Sequence, residues 1–242
     1  KWYKVENTER HYSNWNLGKF RWDTPKYKEN KFRSSGSLST ETDSHPTDKD
    51  LDVNKGLGTM RYKAVVKLDD QILSTPGAES TDEQGITNNV HRLSFRLDNS
   101  FIGWITSFFN LPYIYGSEGK REEHQSERYI GADCADLITL ARRKTGHKID
   151  YTNVKGLLKF THPVEKGRSF YGKDIKLGDL VFFGEIHVGV LYEDKSPPDS
   201  LQKGGPNHIL DGYDLIIHTL LKPATVEPIR NYDSNFTIRK WN

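Results

Sequence analysis

The chain has 242 residues, 34% of them hydrophobic and 12% aromatic, with 35 Lys and Arg against 33 Asp and Glu for a formal net charge of +2. That length suits two small domains or one large one, and the near-balance of charge argues against a protein built to neutralise a nucleic-acid backbone. No apolar run approaches the ~18 residues of a membrane-spanning helix, and a lone cysteine, Cys134, leaves neither an internal disulfide framework nor a Cys-rich zinc site.

Aromatic side chains crowd the first 32 residues (Trp2, Tyr3, Tyr12, Trp15, Phe20, Trp22, Tyr27, Phe32) without a helical or strand period. Residues 33–58, rich in Ser, Thr, Asp, Gly and Lys, read as a loop or linker. Met60 to Leu73 carries Tyr62, Val65, Val66 and Leu68, with Asp69-Asp70 where a hairpin would turn. After a polar loop, Leu93, Phe95 and Leu97 alternate with Ser94 and Arg96, the pattern of a half-buried antiparallel strand. Residues 1–98 are therefore expected to form a small, mostly β domain with long loops.

From residue 99 the pattern changes. Phe101 to Phe109 suggests a short helix. Cys134, Leu137, Ile138 and Ala141 fall at i, i+3, i+4 and i+7, one face of a helix over 132–144. Asp133 is placed to cap it, Arg142, Arg143 and Lys144 suit its last turn, and Gly146 suits its end. Leu180 to Phe183, Ile186 to Tyr192, Asp214 to Leu220 and Phe236 to Trp241 read as strands of an antiparallel sheet. A helix followed by such a sheet gives an α+β layout for residues 99–242.

The predicted helix puts Cys134 in its first turn, where backbone N–H groups and the helix dipole favour a thiolate. A single cysteine on an apolar helix face is more often a core residue, so the histidines decide. Of nine, His11, His45, His124, His147 and His162 lie in polar segments and read as solvated; His91 begins a strand and His208 lies in a loop. His187 and His218 sit inside apolar strands, Ile186-His187-Val188-Gly189-Val190 and Leu215-Ile216-Ile217-His218. A nucleophilic cysteine needs such a base, and the base an orienting group.

Three blocks resemble the NlpC-type cysteine peptidases of bacterial cell walls, which have a papain-like fold. Leu111-Pro112-Tyr113-Ile114-Tyr115-Gly116 looks like the segment ahead of that family's nucleophile, and Gly131-Ala132-Asp133-Cys134-Ala135-Asp136-Leu137 like its helix start. Gly178-Asp179-Leu180-Val181-Phe182-Phe183 followed by His187-Val188-Gly189-Val190 is similar to its hairpin bearing the base. The resemblance spans residues 111–218 and none of the first domain. It implies Cys134 as nucleophile, His187 as general base, His218 as orienter, Tyr113 beside the developing oxyanion, and Asp133 binding a free amine on the substrate. The implied substrate is a peptidoglycan stem peptide, cut between γ-D-glutamate and the following diamino acid, which places the protein in the periplasm or outside the cell. Three features depart from the family: Ala135-Asp136 replaces Ser-Gly, a strongly charged run of fourteen residues (Ser117 to Ile130) lies between Gly116 and Gly131, and thirty residues separate His187 from His218, which makes His208 and Asp211 alternatives to His218.

Two other functions fit the same residues: a cysteine amidase or acyltransferase, and a non-catalytic module that binds wall peptides or glycans, to which Trp2, Trp15 and Trp22 would lend stacking faces. Nucleic acid is not an expected partner, because Arg142-Arg143-Lys144 suits a helix end and Lys120-Arg121 is followed at once by Glu122-Glu123. No HExxH or comparable spacing suggests a metal, and no cofactor is implied. The start at Lys1, with no signal-peptide pattern, is expected of a trimmed or processed chain.

Overall fold

Alternating and continuous apolar runs outweigh helical ones in the sequence, and the computed structural model is accordingly a mixed fold, 36% strand and 14% helix. It describes residues 1–16, 19–20, 23–33, 44–47, 56–164, 170–232 and 235–242. The chain divides into two units: residues 1–99, 106–133 and 220–224 form unit 1, and residues 100–105, 134–219 and 225–242 form unit 2.

Unit 1 is built on an antiparallel sheet. Its strands are β1 (Trp2–Asn7), β2 (His11–Ser13), β3 (Trp15–Asn16), β4 (Lys19–Phe20), β5 (Tyr27–Arg33), β6 (Gly58–Leu68), β7 (Gln71–Ser74), β8 (Thr81–Asp82), β9 (Gly85–Ile86), β10 (His91–Phe95) and β11 (Tyr113–Tyr115). The main order is β10-β6-β1-β5, with β7 turning back on the far half of β6. Asp69, at φ +52°, makes the turn expected at Asp69-Asp70. β1 escapes sequence periodicity because Lys4 and Val5 are both buried, which breaks the two-residue alternation. Lys4 tolerates this because its Nζ donates to the His45 carbonyl. Val5, Tyr12, Ile86, Val90, Ile114 and Ile130 form the core, each large side chain contributing roughly 1.5–3 kcal/mol by burial. Most of the loop expected over 33–58 lies outside the described residues.

Two expectations are corrected here. β10 exists, but Leu93, Phe95 and Leu97 are 45%, 38% and 52% exposed. β10 is an edge strand, and its polar positions make the specific contacts: Ser94 Oγ meets Thr59 Oγ1 at 2.7 Å, and Arg92 lays its guanidinium 4.2 Å over the Tyr129 ring. His124 is buried rather than solvated, and its Nδ1 accepts from the Ser126 N–H at 3.2 Å.

Unit 2 carries an antiparallel sheet of β12 (Thr161–Pro163), β13 (Leu180–Phe183), β14 (His187–Glu193), β15 (Leu215–His218), β16 (Thr225–Pro228) and β17 (Thr237–Trp241), in the order β12-β17-β13-β14-β15-β16. Its helices are α1 (Phe101–Thr106, of which residues 101–105 belong to this unit), α2 (Cys134–Lys144) and α3 (Val154–Leu157). α2 packs on β14, with Cys134 to Ala141 all buried. Gly146, at φ +90°, closes its C-terminal turn. Beneath the sheet lie Val181, Phe183, Leu191, Ile216, Ile229 and Ile238. Gly178 at φ +94° and the buried Asp179 set the entry to β13: Gly178 N donates to Leu191 O, Leu191 N to Asp179 O, and Lys176 N to the Asp179 carboxylate.

The insertion between β14 and β15 is tied down by carboxylates that accept backbone N–H groups. Asp194 accepts from Asn207 and His208. Asp214, fully buried, accepts from Lys195 at 2.9 Å and Asp211 at 2.6 Å. Burial pushes the Asp214 carboxyl up to about 7 against the help of those two N–H groups, with Asp211 and Asp194 adding to the rise.

Candidate active site

Cys134 is the first residue of α2 and only 6% exposed. The strand on which α2 packs begins with His187, and its partner β15 ends with His218; both imidazoles are buried. The fold brings the two rings together, with His187 Nε2 2.8 Å from His218 Nδ1. On its other side, His218 Nε2 lies 2.5 Å from Glu227 Oε1. Pairing of β15 with β16 puts Glu227 opposite Ile216, two residues from His218 and on the same face.

A carboxylate only accepts, so His218 donates through Nε2. In the tautomer that leaves His218 Nδ1 as an acceptor, His187 donates to it through Nε2. Its second nitrogen, Nδ1, then carries the lone pair, is buried, and has no hydrogen-bond partner among the described residues. A neutral imidazole with one nitrogen anchored and the other open has the form of a general base.

The surroundings hold His187 neutral. Phe183 lies opposite it in register and stacks at 5.8 Å, while Tyr232 covers it at 4.6 Å and Phe183 at 4.4 Å. Burial, then the neighbouring His218, lowers its pKa to about 3, against a raising influence from Glu227. Gly189 makes room for the pair, because a Cβ there would sit 3.2 Å from both the His218 Cβ and the Ile217 carbonyl.

His208 is exposed, at 3.7 Å from Asp194, and Asp211 engages Asn207 and Tyr213; neither approaches His187 by a hydrogen bond. Tyr113 heads β11 in unit 1, where it is buried, donates its N–H to Arg10 O and bridges to Ala132. Asp133 is the last residue of that part of unit 1 and the chain neighbour of Cys134. Gly131 allows the close approach in this segment, since a Cβ would meet Pro112 O at 2.6 Å. Of the tryptophans, Trp15 is exposed, Trp2 is half-buried in β1, and Trp22 lies outside the described residues.

Glu227, Phe183 and Tyr232 were not legible as site residues. Thr225-Val226-Glu227-Pro228 is too short to show alternation, and Tyr232 follows a single 3-10 turn in a polar stretch. Among the described residues, no group of three or more His, Cys, Asp and Glu is arranged to hold a metal ion.

Comparison of the chain with protein-family models, with curated proteins and with solved structures gives no match in any of the three. The chemistry is therefore read from the side chains themselves.

Proposed function

We propose that this protein is a cysteine hydrolase that cleaves amide bonds by acyl transfer through Cys134. The observation that carries this reading is the Glu227–His218–His187 chain, which leaves one imidazole nitrogen, Nδ1, as an unoccupied base on the strand that packs against the cysteine's helix. His187 Nδ1 takes the thiol proton as sulfur attacks the carbonyl carbon. The imidazolium returns that proton to the leaving amine, and water then hydrolyses the thioester with His187 again as base. A buried imidazole resists protonation unless negative charge appears beside it, so formation of the thiolate and protonation of His187 are coupled.

The proposed fold of the catalytic part is papain-like, and the proposed substrate is a peptidoglycan stem peptide, cut between γ-D-glutamate and the diamino acid. In that assignment Tyr113 serves the oxyanion and Asp133 the substrate's free amine, in a periplasmic or extracellular setting. The support is the order of Tyr113, Asp133-Cys134, His187-Val188-Gly189 and His218 along the chain.

Incubation with L-Ala-γ-D-Glu-diaminopimelate, read by mass spectrometry, tests it. Release of L-Ala-γ-D-Glu by the native chain, with turnover reduced on the order of 10⁶-fold in Cys134→Ala, is the expected result. No release from this or other amide substrates, together with a thiol that iodoacetamide alkylates slowly, would overturn it.

A further inference from the structure

Unit 1 contains a cavity of about 100 Å³ whose wall includes Asn7, Arg10, Lys28, Arg61, Asn110 and Pro112. None of these residues enters the chemistry above. Arg61 stands out among them. It lies mid-strand in β6, only 4% exposed, and its single hydrogen bond among the described residues runs from Nη2 to the Tyr129 carbonyl.

The charge on that guanidinium has no counter-ion among the described residues. Burial pulls its pKa down to about 10, with Tyr27 opposing the fall and the charges of Arg92 and Arg128 adding to it. Arg128 is already paired with Asp82 at 2.7 Å, and Arg92 donates to the Arg128 carbonyl. Tyr27 beside it is kept protonated by its own burial. Two carboxylates do line the cavity, Glu6 and Glu9. Glu6 is turned to the Thr47 N–H and the Asn30 amide. Against Arg10, Lys28 and Arg61, those two carboxylates leave the wall one positive charge in excess.

A buried charge without a partner is strongly unfavourable, and a guanidinium with unused N–H groups presents a planar fork that fits a carboxylate. A second donor lies in the same wall: Asn7 Nδ2 is buried without a well-formed hydrogen bond, with the Tyr27 hydroxyl as a weak neighbour. The volume admits a carboxylate and the one or two carbons attached to it.

We propose that this cavity is a binding site for a single carboxylate group, seated on the Arg61 guanidinium and completed by the Asn7 amide. The ligand is either a free small carboxylate or the carboxy terminus of a peptide. The inference is independent of whether Cys134 is a nucleophile.

Isothermal titration of the whole chain with acetate, N-acetylalanine and N-acetylalaninamide, at ionic strength held constant with chloride, tests it. One saturable site per chain for acetate, for N-acetylalanine or for both is expected, with none for the amide, and affinity roughly tenfold or more weaker in Arg61→Met. Binding of acetate alone would identify a free anion as the ligand, and binding of N-acetylalanine a peptide end. If Arg61→Met fails to fold, Thr8→Trp, a bulky side chain added to the cavity wall with Arg61 left in place, should abolish binding. No saturable binding of either carboxylate, equal binding of the amide, or native affinity in a folded Arg61→Met or in Thr8→Trp would overturn the proposal.

Discussion

Each unit buries charged or titratable side chains within a sheet, and the two do so in opposite ways. In unit 2, Glu227, His218 and His187 hand hydrogen bonds from one to the next until one nitrogen is left over. In unit 1, Arg61 and Arg92 donate to the carbonyls of Tyr129 and Arg128, Arg128 pairs with Asp82, and the Arg61 charge stays without an opposite among the described residues. The first arrangement carries its charge at its far end, on Glu227, and presents a single reactive atom. The second is neutralised only in part, through Asp82, and presents a field. A buried polar group can therefore signal chemistry or binding according to whether its last valence is a lone pair or a charge.

Breaking the unit 2 chain should have the largest consequence. His218→Ala strands His187 Nε2 without an acceptor in a buried site, and a loss of roughly 2–4 kcal/mol in urea unfolding is expected along with near-complete loss of turnover. Glu227→Gln keeps the shape and removes the fixed negative charge, so turnover should fall by roughly 10- to 100-fold with a far smaller change in stability. Equal losses of stability from the two variants would show that the chain only braces the fold.

The pH dependence of unfolding separates two buried acids and bases of opposite sign. His187 has a folded pKa of about 3 against an ordinary 6.5, so its burial as a neutral ring contributes stability above pH 6.5 that is lost as pH falls from there to 3. Asp214 has a folded pKa of about 7 against 3.8, so its contribution is present below pH 3.8 and lost as pH rises through 7. Urea midpoints measured from pH 3 to 8 should rise with pH at the acid end and flatten or decline toward pH 7. A monotonic rise to pH 8 would remove Asp214 from this account.

Smaller effects test the packing. Gly189→Ala should cost about 1–3 kcal/mol and displace His218, because the added methyl meets its Cβ and the Ile217 carbonyl at 3.2 Å. Leu93→Ser, on the exposed face of β10, should change stability by no more than about 0.5 kcal/mol. A large loss at Leu93 would reveal that the apolar face of this edge strand is covered in solution.

The contrast between the units also governs what the sequence made legible. In unit 2 the strands that build the site are continuous apolar runs, and Cys134 heads a helix with regular spacing and a glycine stop, so α2, β13, β14 and β15 could be read directly. In unit 1, burial of Lys4 and exposure of Leu93 and Phe95 invert the usual rule, because an interior carbonyl accepts one and an edge position releases the others. His187 and His218 stood out as polar residues in apolar runs. Glu227 did not, since its role comes from a cross-strand neighbour that only the register supplies. Arg61 was equally silent: Met60-Arg61-Tyr62 reads as an ordinary strand with a solvent-facing cation, and all three of its residues are buried.

The three linked side chains of unit 2 stand on three successive ladder partners, β14, β15 and β16. A slip of β16 against β15 by one residue would carry Glu227 to the opposite face of the sheet, and a slip of β15 would do the same to His218. The alignment of the base is thus a property of strand pairing as a whole, not of any one side chain's rotamer. Partial loosening of the sheet would then yield molecules that are either fully competent or inert, and activity during denaturation would track the fraction of chains with an intact ladder.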